Sequence, residues 1–215
     1  MKRLVFYIFL LLMTACEHTE VKADYVMHDD YCYNIYTNDS KYYLSPYLDE
    51  HFIRFETQHT TDVIKELTNR GLQISEDPTI ATYNFGDEYI IPDEIKYGST
   101  ISVKGRGQID DIPNVIYSHH LYITESGEIF GRSNFITVYY DVERTDEQIK
   151  SILRHAESLK IHPISNDSTF GTLILACTNH SSGNPIEIAN WFIEVGGFQA
   201  TPDEGYSSEG TSSFN

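Results

Sequence analysis

Between residues 135 and 142 apolar side chains fall on alternate positions, Ile136, Val138, Tyr140 and Val142, the pattern of a strand with one buried face. The period then lengthens. Ile149, Ile152, Leu153 and Ala156 return at helical spacing, and Thr145 followed by Gln148 predicts a capping box at the start of that helix. Residues 159–164 and 169–178 revert to strand composition, and the second run is apolar on both faces, so it is expected at the centre of a sheet. Asn184 predicts a second helix start, with Pro185 at its first position and Glu187 beside the exposed amides, and Gly196-Gly197 predicts its end. Residues 198–201 suffice for an edge strand. Strand, helix, strand, strand, helix, strand over residues 135–201 predicts an α+β chain ending in a ferredoxin-like βαββαβ unit.

The earlier pattern is strand-rich and less regular. Tyr42-Tyr43-Leu44, a break at Pro46 and His51-Phe52-Ile53-Arg54-Phe55 suggest a hairpin. Residues 61–70 predict a short helix with Val63, Ile64 and Leu67 on one face and Gly71 at its stop. Residues 72–75, 79–85, 89–91, 100–103 and 115–124 have strand composition, punctuated by Gly105, Gly107, Pro113 and the turn signal Glu125-Ser126-Gly127-Glu128. Residues 41–134 are therefore expected as a strand-rich N-terminal subdomain. Its opening strand, helix, strand, strand order allows a diverged first copy of the later unit, although no second helix completes that copy.

The ends of the chain add a location. Residues 1–15 combine a basic start, Lys2-Arg3, with an apolar run over 4–13, the layout of a secretion signal and too short for a membrane span. Leu12-Met13-Thr14-Ala15-Cys16 has the form of a lipobox, so Cys16 is expected to become a lipidated N-terminus; the alternative is an internal cysteine after an uncleaved signal. Each buried acyl methylene contributes ~0.8 kcal/mol of membrane affinity. Residues 16–40, polar and acidic with Tyr25, Tyr31, Tyr33 and Tyr36 interspersed, are expected as a flexible tether, and residues 202–215 as a disordered acidic tail. The implied location is the cell envelope, lipid-anchored to a membrane, with the outer membrane favoured. Loss of Lys2 and Arg3 with the signal moves the formal charge from −17 to −19. That excess repels nucleic acid and favours basic or neutral partners, and it is also an ordinary solubility device.

No constellation for catalysis emerges, so no enzyme activity, cofactor or metal is expected. Among nine histidines, His119-His120 is the visible pair, but neighbours in a strand should point to opposite faces and not share an ion. Ser126-Gly127 and Ser182-Gly183 lack a G-x-S-x-G setting, Gly105-Arg106-Gly107 is too short for a phosphate loop, and Asp29-Asp30 and Asp110-Asp111 lack calcium-loop spacing. Sixteen tyrosines allow an adhesive or peptide-binding surface, although Tyr is also a common strand residue. Trp191 fits the margin of the second helix's apolar face. Cys32 and Cys177 could pair in an oxidising compartment, but Cys177 continues the apolar run Leu173-Ile174-Leu175-Ala176, which favours a buried unpaired thiol.

One stretch is more specific. Cys177-Thr178-Asn179-His180-Ser181-Ser182-Gly183-Asn184, followed by Pro185-Ile186-Glu187-Ile188-Ala189-Asn190-Trp191-Phe192 and Gly196-Gly197-Phe198, resembles the propeptide-like N-terminal region of bacterial subtilisin-family serine proteases. The similarity covers residues 135–203 and extends loosely over 42–134. It implies a module that lays an open sheet face on a protease and threads its C-terminal tail through the active-site cleft. Thr201-Pro202-Asp203 stands where the family usually has an acidic residue before Pro, and no Ser/His/Asp catalytic segment follows in this sequence. The resemblance thus implies a non-enzymatic, membrane-anchored protein that binds, inhibits or assists the folding of a subtilisin-like protease in trans. Phe198, Gln199, Ala200, Thr201 and Pro202 are its candidate partner-binding residues. The alternatives are a surface lipoprotein acting as a general protein- or ligand-binding module, and an orphaned propeptide fragment with no retained function.

Overall fold

A computed structural model describes residues 26–33, 40–75, 77–80, 89–125, 127 and 129–205. Strand β1 (Tyr31–Tyr33) leads to β2 (Lys41–Glu56), helix α1 (Thr60–Asn69), the two-residue strands β3 (Gln73–Ile74) and β4 (Thr79–Ile80), the single-turn α2 (Asp93–Lys96), β5 (Gly98–Lys104) and β6 (Val115–Thr124). The second half runs β7 (Ile129–Tyr139), α3 (Thr145–Ser158), β8 (His162–Asp167), β9 (Thr172–Ala176), α4 (Pro185–Trp191) and β10 (Gln199–Gly205). The architecture is mixed α+β, and every strand pair is antiparallel.

Hydrogen bonds join the strands in the order β3-β5-β2-β6-β7-β9-β8, with β1 on β2, β4 on β5 and β10 on β7. Two antiparallel sheets meet where Tyr122 and Ile123 of β6 pair with Phe130 and Ile129 of β7. The second sheet is ordered β8-β9-β7-β10, so α3 and α4 each link two strands that have one strand between them. The first sheet has the same relative order, β3-β5-β2-β6, with α1 as its first connection and residues 105–114, without a helix, as its second.

The second half has the expected succession of elements, with β8 at His162–Asp167 where residues 159–164 were expected. Ile136 and Val138 of β7, Leu173 and Leu175 of β9 and Ala200 of β10 share a face, and α3 (Ile152, Ala156) and α4 (Ile188, Ala189, Trp191) cover it. Trp191 is in this core, 1 % exposed, not at its margin. The opposite face places Phe135, Ile164 and Ala176 against Ile95 of α2, with Ile91 beside them. That face is therefore partly covered by the first half. The principal core also includes Phe52, Tyr117 and Leu121, so it spans both halves, and the expected boundary between 134 and 135 falls within β7.

Several expectations need correction. Residues 42–55 are not a hairpin but part of one long strand, β2, and Pro46 sits where the described ladder has a neighbour, β6, on one side only. Residues 89–91 are not a strand, and α2 follows them. Residues 169–171 belong to a turn: Asp167 Oδ1 accepts from the amides of Thr169 and Phe170, and Gly171 has a left-handed φ of 63°. Gln148 Oε1 accepts from the Asp141 amide, 2.7 Å away. Of the expected tether, Tyr31–Tyr33 is strand with Tyr31 and Cys32 buried, and of the expected tail, residues 202–205 continue β10. Cys16 and residues 206–215 lie outside the described residues.

Candidate functional site

The residues read as partner-binding divide between the two sides of β10. This strand lies at the edge of its sheet, bonded among the described strands to β7 alone. Its register puts Ala200 opposite Val138 and Pro202 opposite Ile136, and both are buried on the helix side. Phe198 precedes the strand and packs edge-on to Phe192, with ring centroids 6.5 Å apart. Ala200 and Pro202 are thus buried, while Phe198 is half-buried against the same core. Gln199 and Thr201 are half-buried on the other side.

The motif residues that carried the resemblance have local structural work. Asn184 Oδ1 accepts from the amides of Ile186 and Glu187 while Glu187 Oε2 accepts from the Asn184 amide, a complete capping box. A Cβ at Gly183 would stand 3.0 Å from that Glu187 oxygen. Asn179 bridges the halves: its amide donates to the Ile116 carbonyl and its Oδ1 accepts from the Ser118 amide. Asn190, 1 % exposed, donates through Nδ2 to the carbonyls of His28 (2.9 Å) and Tyr31 (2.7 Å), which fastens the N-terminal segment to α4.

A second fastening lies one turn on, where the helix continues as a wide turn over Phe192–Gly196. The hydroxyls of Tyr31 and Tyr33 and the ammonium of Lys41 all donate to Glu194 Oε1, at 2.8, 2.6 and 3.1 Å. Lys41 also lies 3.7 Å from the Tyr31 ring centroid. Burial, and then the bond to Glu194, push the Tyr31 phenol up to about 12. For Lys41 burial acts downward, but its bonds to Tyr33, Glu194 and Tyr31 together outweigh it and the net direction is up.

The histidine pair is where sequence reasoning went furthest astray. Along β6, His120 lies opposite His51 while the next residue, Leu121, lies opposite Tyr47, so residues 48–50 of β2 bulge from the ladder. Such a bulge bends its strand and re-aims nearby side chains. The His119 and His120 rings sit 4.1 Å apart between centroids instead of on opposite faces. Asp29 joins them, and one ligand atom from each of the three residues lies within 4.8 Å of the other two. His119 Nδ1 is 3.0 Å from the His120 carbonyl oxygen and so carries the proton, which leaves a lone pair on Nε2, 3.3 Å from the Tyr122 hydroxyl. That hydroxyl and Asn184 Nδ2 reach Asp29 Oδ2 at 3.4 and 3.5 Å. Burial, then the neighbouring His119, lower His120 to about 4, and burial lowers His119 and His51 as well. All three imidazoles are neutral at pH 7.

Two further features complete the chemistry. Cys32 and Cys177 are both buried, and burial, followed by Glu187, pushes the Cys177 thiol far upward, which makes it inert. A cleft of about 720 Å³ between the halves is lined by Glu56, Glu94, Asp110 and Glu157 with Lys160 and His162 among its other residues. No known protein family and no curated protein matches the chain.

Proposed function

We propose that this chain is a non-enzymatic, lipid-anchored binding module of the cell envelope that engages a subtilisin-like protease in trans, as inhibitor or folding assistant. The fold reading that goes with it is a ferredoxin-like βαββαβ unit over the second half, preceded by a diverged first copy in which residues 105–114 stand for the lost helix. The observation that carries the proposal is β10: a seven-residue strand bonded among the described strands to β7 alone, on the C-terminal side of the motif, leading directly into residues 206–215. An exposed edge offers main-chain hydrogen bonds to an extended partner segment, with Gln199 and Thr201 on its accessible side. The partly covered sheet face leaves edge and following segment as the contact, in place of a broad face-on docking.

The test is titration of a subtilisin-like protease with the purified protein, following peptide hydrolysis and the yield of active protease on refolding. Inhibition or a raised yield is expected, and removal of residues 206–215 should weaken it about tenfold or more without changing the circular dichroism. A protease whose activity and refolding are both unchanged at high micromolar concentration overturns the proposal. The acidic cleft favours a second reading, a binding module for basic peptides. Binding of an oligolysine peptide that Glu94→Gln and Glu157→Gln weaken would support that reading.

A further inference from the structure

We propose that Asp29, His119 and His120 form a binding site for one divalent transition-metal ion, Zn²⁺ or a close relative. The geometry carries it. Three ligand atoms of the right kinds, two imidazole nitrogens and a carboxylate oxygen, lie within 4.8 Å of one another although their residues are ninety positions apart in sequence. Ligands bonded to Zn²⁺ at 2.0–2.2 Å stand roughly 3.3 Å from each other, so small side-chain rotations close the set. His120 Nε2 is an independent pointer: it is buried and has no hydrogen-bond partner among the described residues, a costly state for a ring nitrogen that a metal would relieve.

The surroundings match what a metal-binding imidazole requires. The Nδ1–H of His119 is held by the His120 carbonyl, which fixes the ring and aims Nε2 as a donor, and Asp29 is oriented by Asn184 and the Tyr122 hydroxyl. The tautomer is thus set before any ion arrives. Two nitrogens and one oxygen select Zn²⁺, Co²⁺, Ni²⁺ or Cu²⁺ over Ca²⁺ and Mg²⁺, which prefer all-oxygen sites. Three protein ligands also leave a tetrahedral ion one position for water or for a donor from a partner. Because Asp29 belongs to the N-terminal segment and the histidines to β6, the ion would tie that segment to the first sheet. This inference does not depend on a protease partner.

The experiment is titration of the metal-stripped full-length chain in detergent with ZnCl₂ by calorimetry, and with CoCl₂ by visible absorption. One Zn²⁺ per chain and cobalt d–d bands of a nitrogen–oxygen site are expected. Asp29→Asn, His119→Ala and His120→Ala should each weaken binding about tenfold or more, while His180→Ala should leave it unchanged. If a histidine variant fails to fold by circular dichroism, Asp29→Asn, at a half-buried position, provides the reading. Absence of binding, or equal affinity in the wild type and in Asp29→Asn, overturns the proposal.

Discussion

Gly171 is a single residue on which the β8–β9 turn depends. Its φ of 63° is left-handed, and a Cβ there would stand 2.3 Å from the Tyr140 carbonyl oxygen, while its own carbonyl accepts from the Tyr140 amide. Gly171→Ala is expected to destabilise the protein by about 1–3 kcal/mol, measured by urea denaturation. Ile152 and Leu153 make a paired test of the α3 face. Ile152 is fully buried, whereas Leu153 is half-buried and lines the cleft. Ile152→Ala should cost about 2–5 kcal/mol and Leu153→Ala about 1 kcal/mol; equal costs would show that the helix is rotated from this packing. Asn184→Ala removes the acceptor of the α4 cap and should cost about 1 kcal/mol in the same assay.

At the scale of elements, β1 is too short to hold by its ladder to β2 and depends on Asn190 and Glu194. The Tyr31 phenol titrates near 10 when unfolded and near 12 in this setting, so the folded state holds its proton more tightly. Its contribution is therefore whole below pH 10 and is lost as pH rises toward 12. Lys41, also shifted upward, acts in the same direction. A near-ultraviolet circular dichroism change is expected across that window in the wild type. Glu194→Ala should abolish most of it and speed chymotrypsin cleavage at residues 31–33 already at pH 8. Unchanged cleavage would place the fastening of β1 elsewhere.

For the whole molecule, the decisive fact is that the principal core draws on both halves. Phe52, Tyr117 and Leu121 pack with the residues of β7, β9, α3 and α4, and Ile95 covers the other face of the second sheet. Trp191, the one tryptophan, reports on the second half, whereas far-ultraviolet circular dichroism reports on both. The two signals should coincide in a single urea transition. A fragment of residues 129–215 should bind an apolar dye and lose its near-ultraviolet signal, because it exposes Phe135, Ile164 and Ala176 to water. Two separated transitions, or a fragment with native signals, would show that the halves are independent domains.

The sequence by itself determined the local elements of the second half. Its periods of two and of helical spacing, Asn184 with Pro185 and Glu187, and Gly197 at the helix end are short-range signals, and local backbone preferences act over that same range. It also located β6 and α1 well, since each is a run of consistent pattern. It could not determine that residues 41–56 are one strand, because the register across β2 and β6 is set by a partner some seventy residues away. Alternation assumes an unbroken ladder, and only the tertiary structure shows His119 and His120 brought to one point with Asp29 beside them. Likewise, what Asn190 holds is legible only once His28 and Tyr31 supply their carbonyls, and Ala200 and Pro202 read as accessible until the fold buries them. Spacing along the chain specifies which side chains share a face; which of those faces is buried, and against what, is decided by elements distant in sequence.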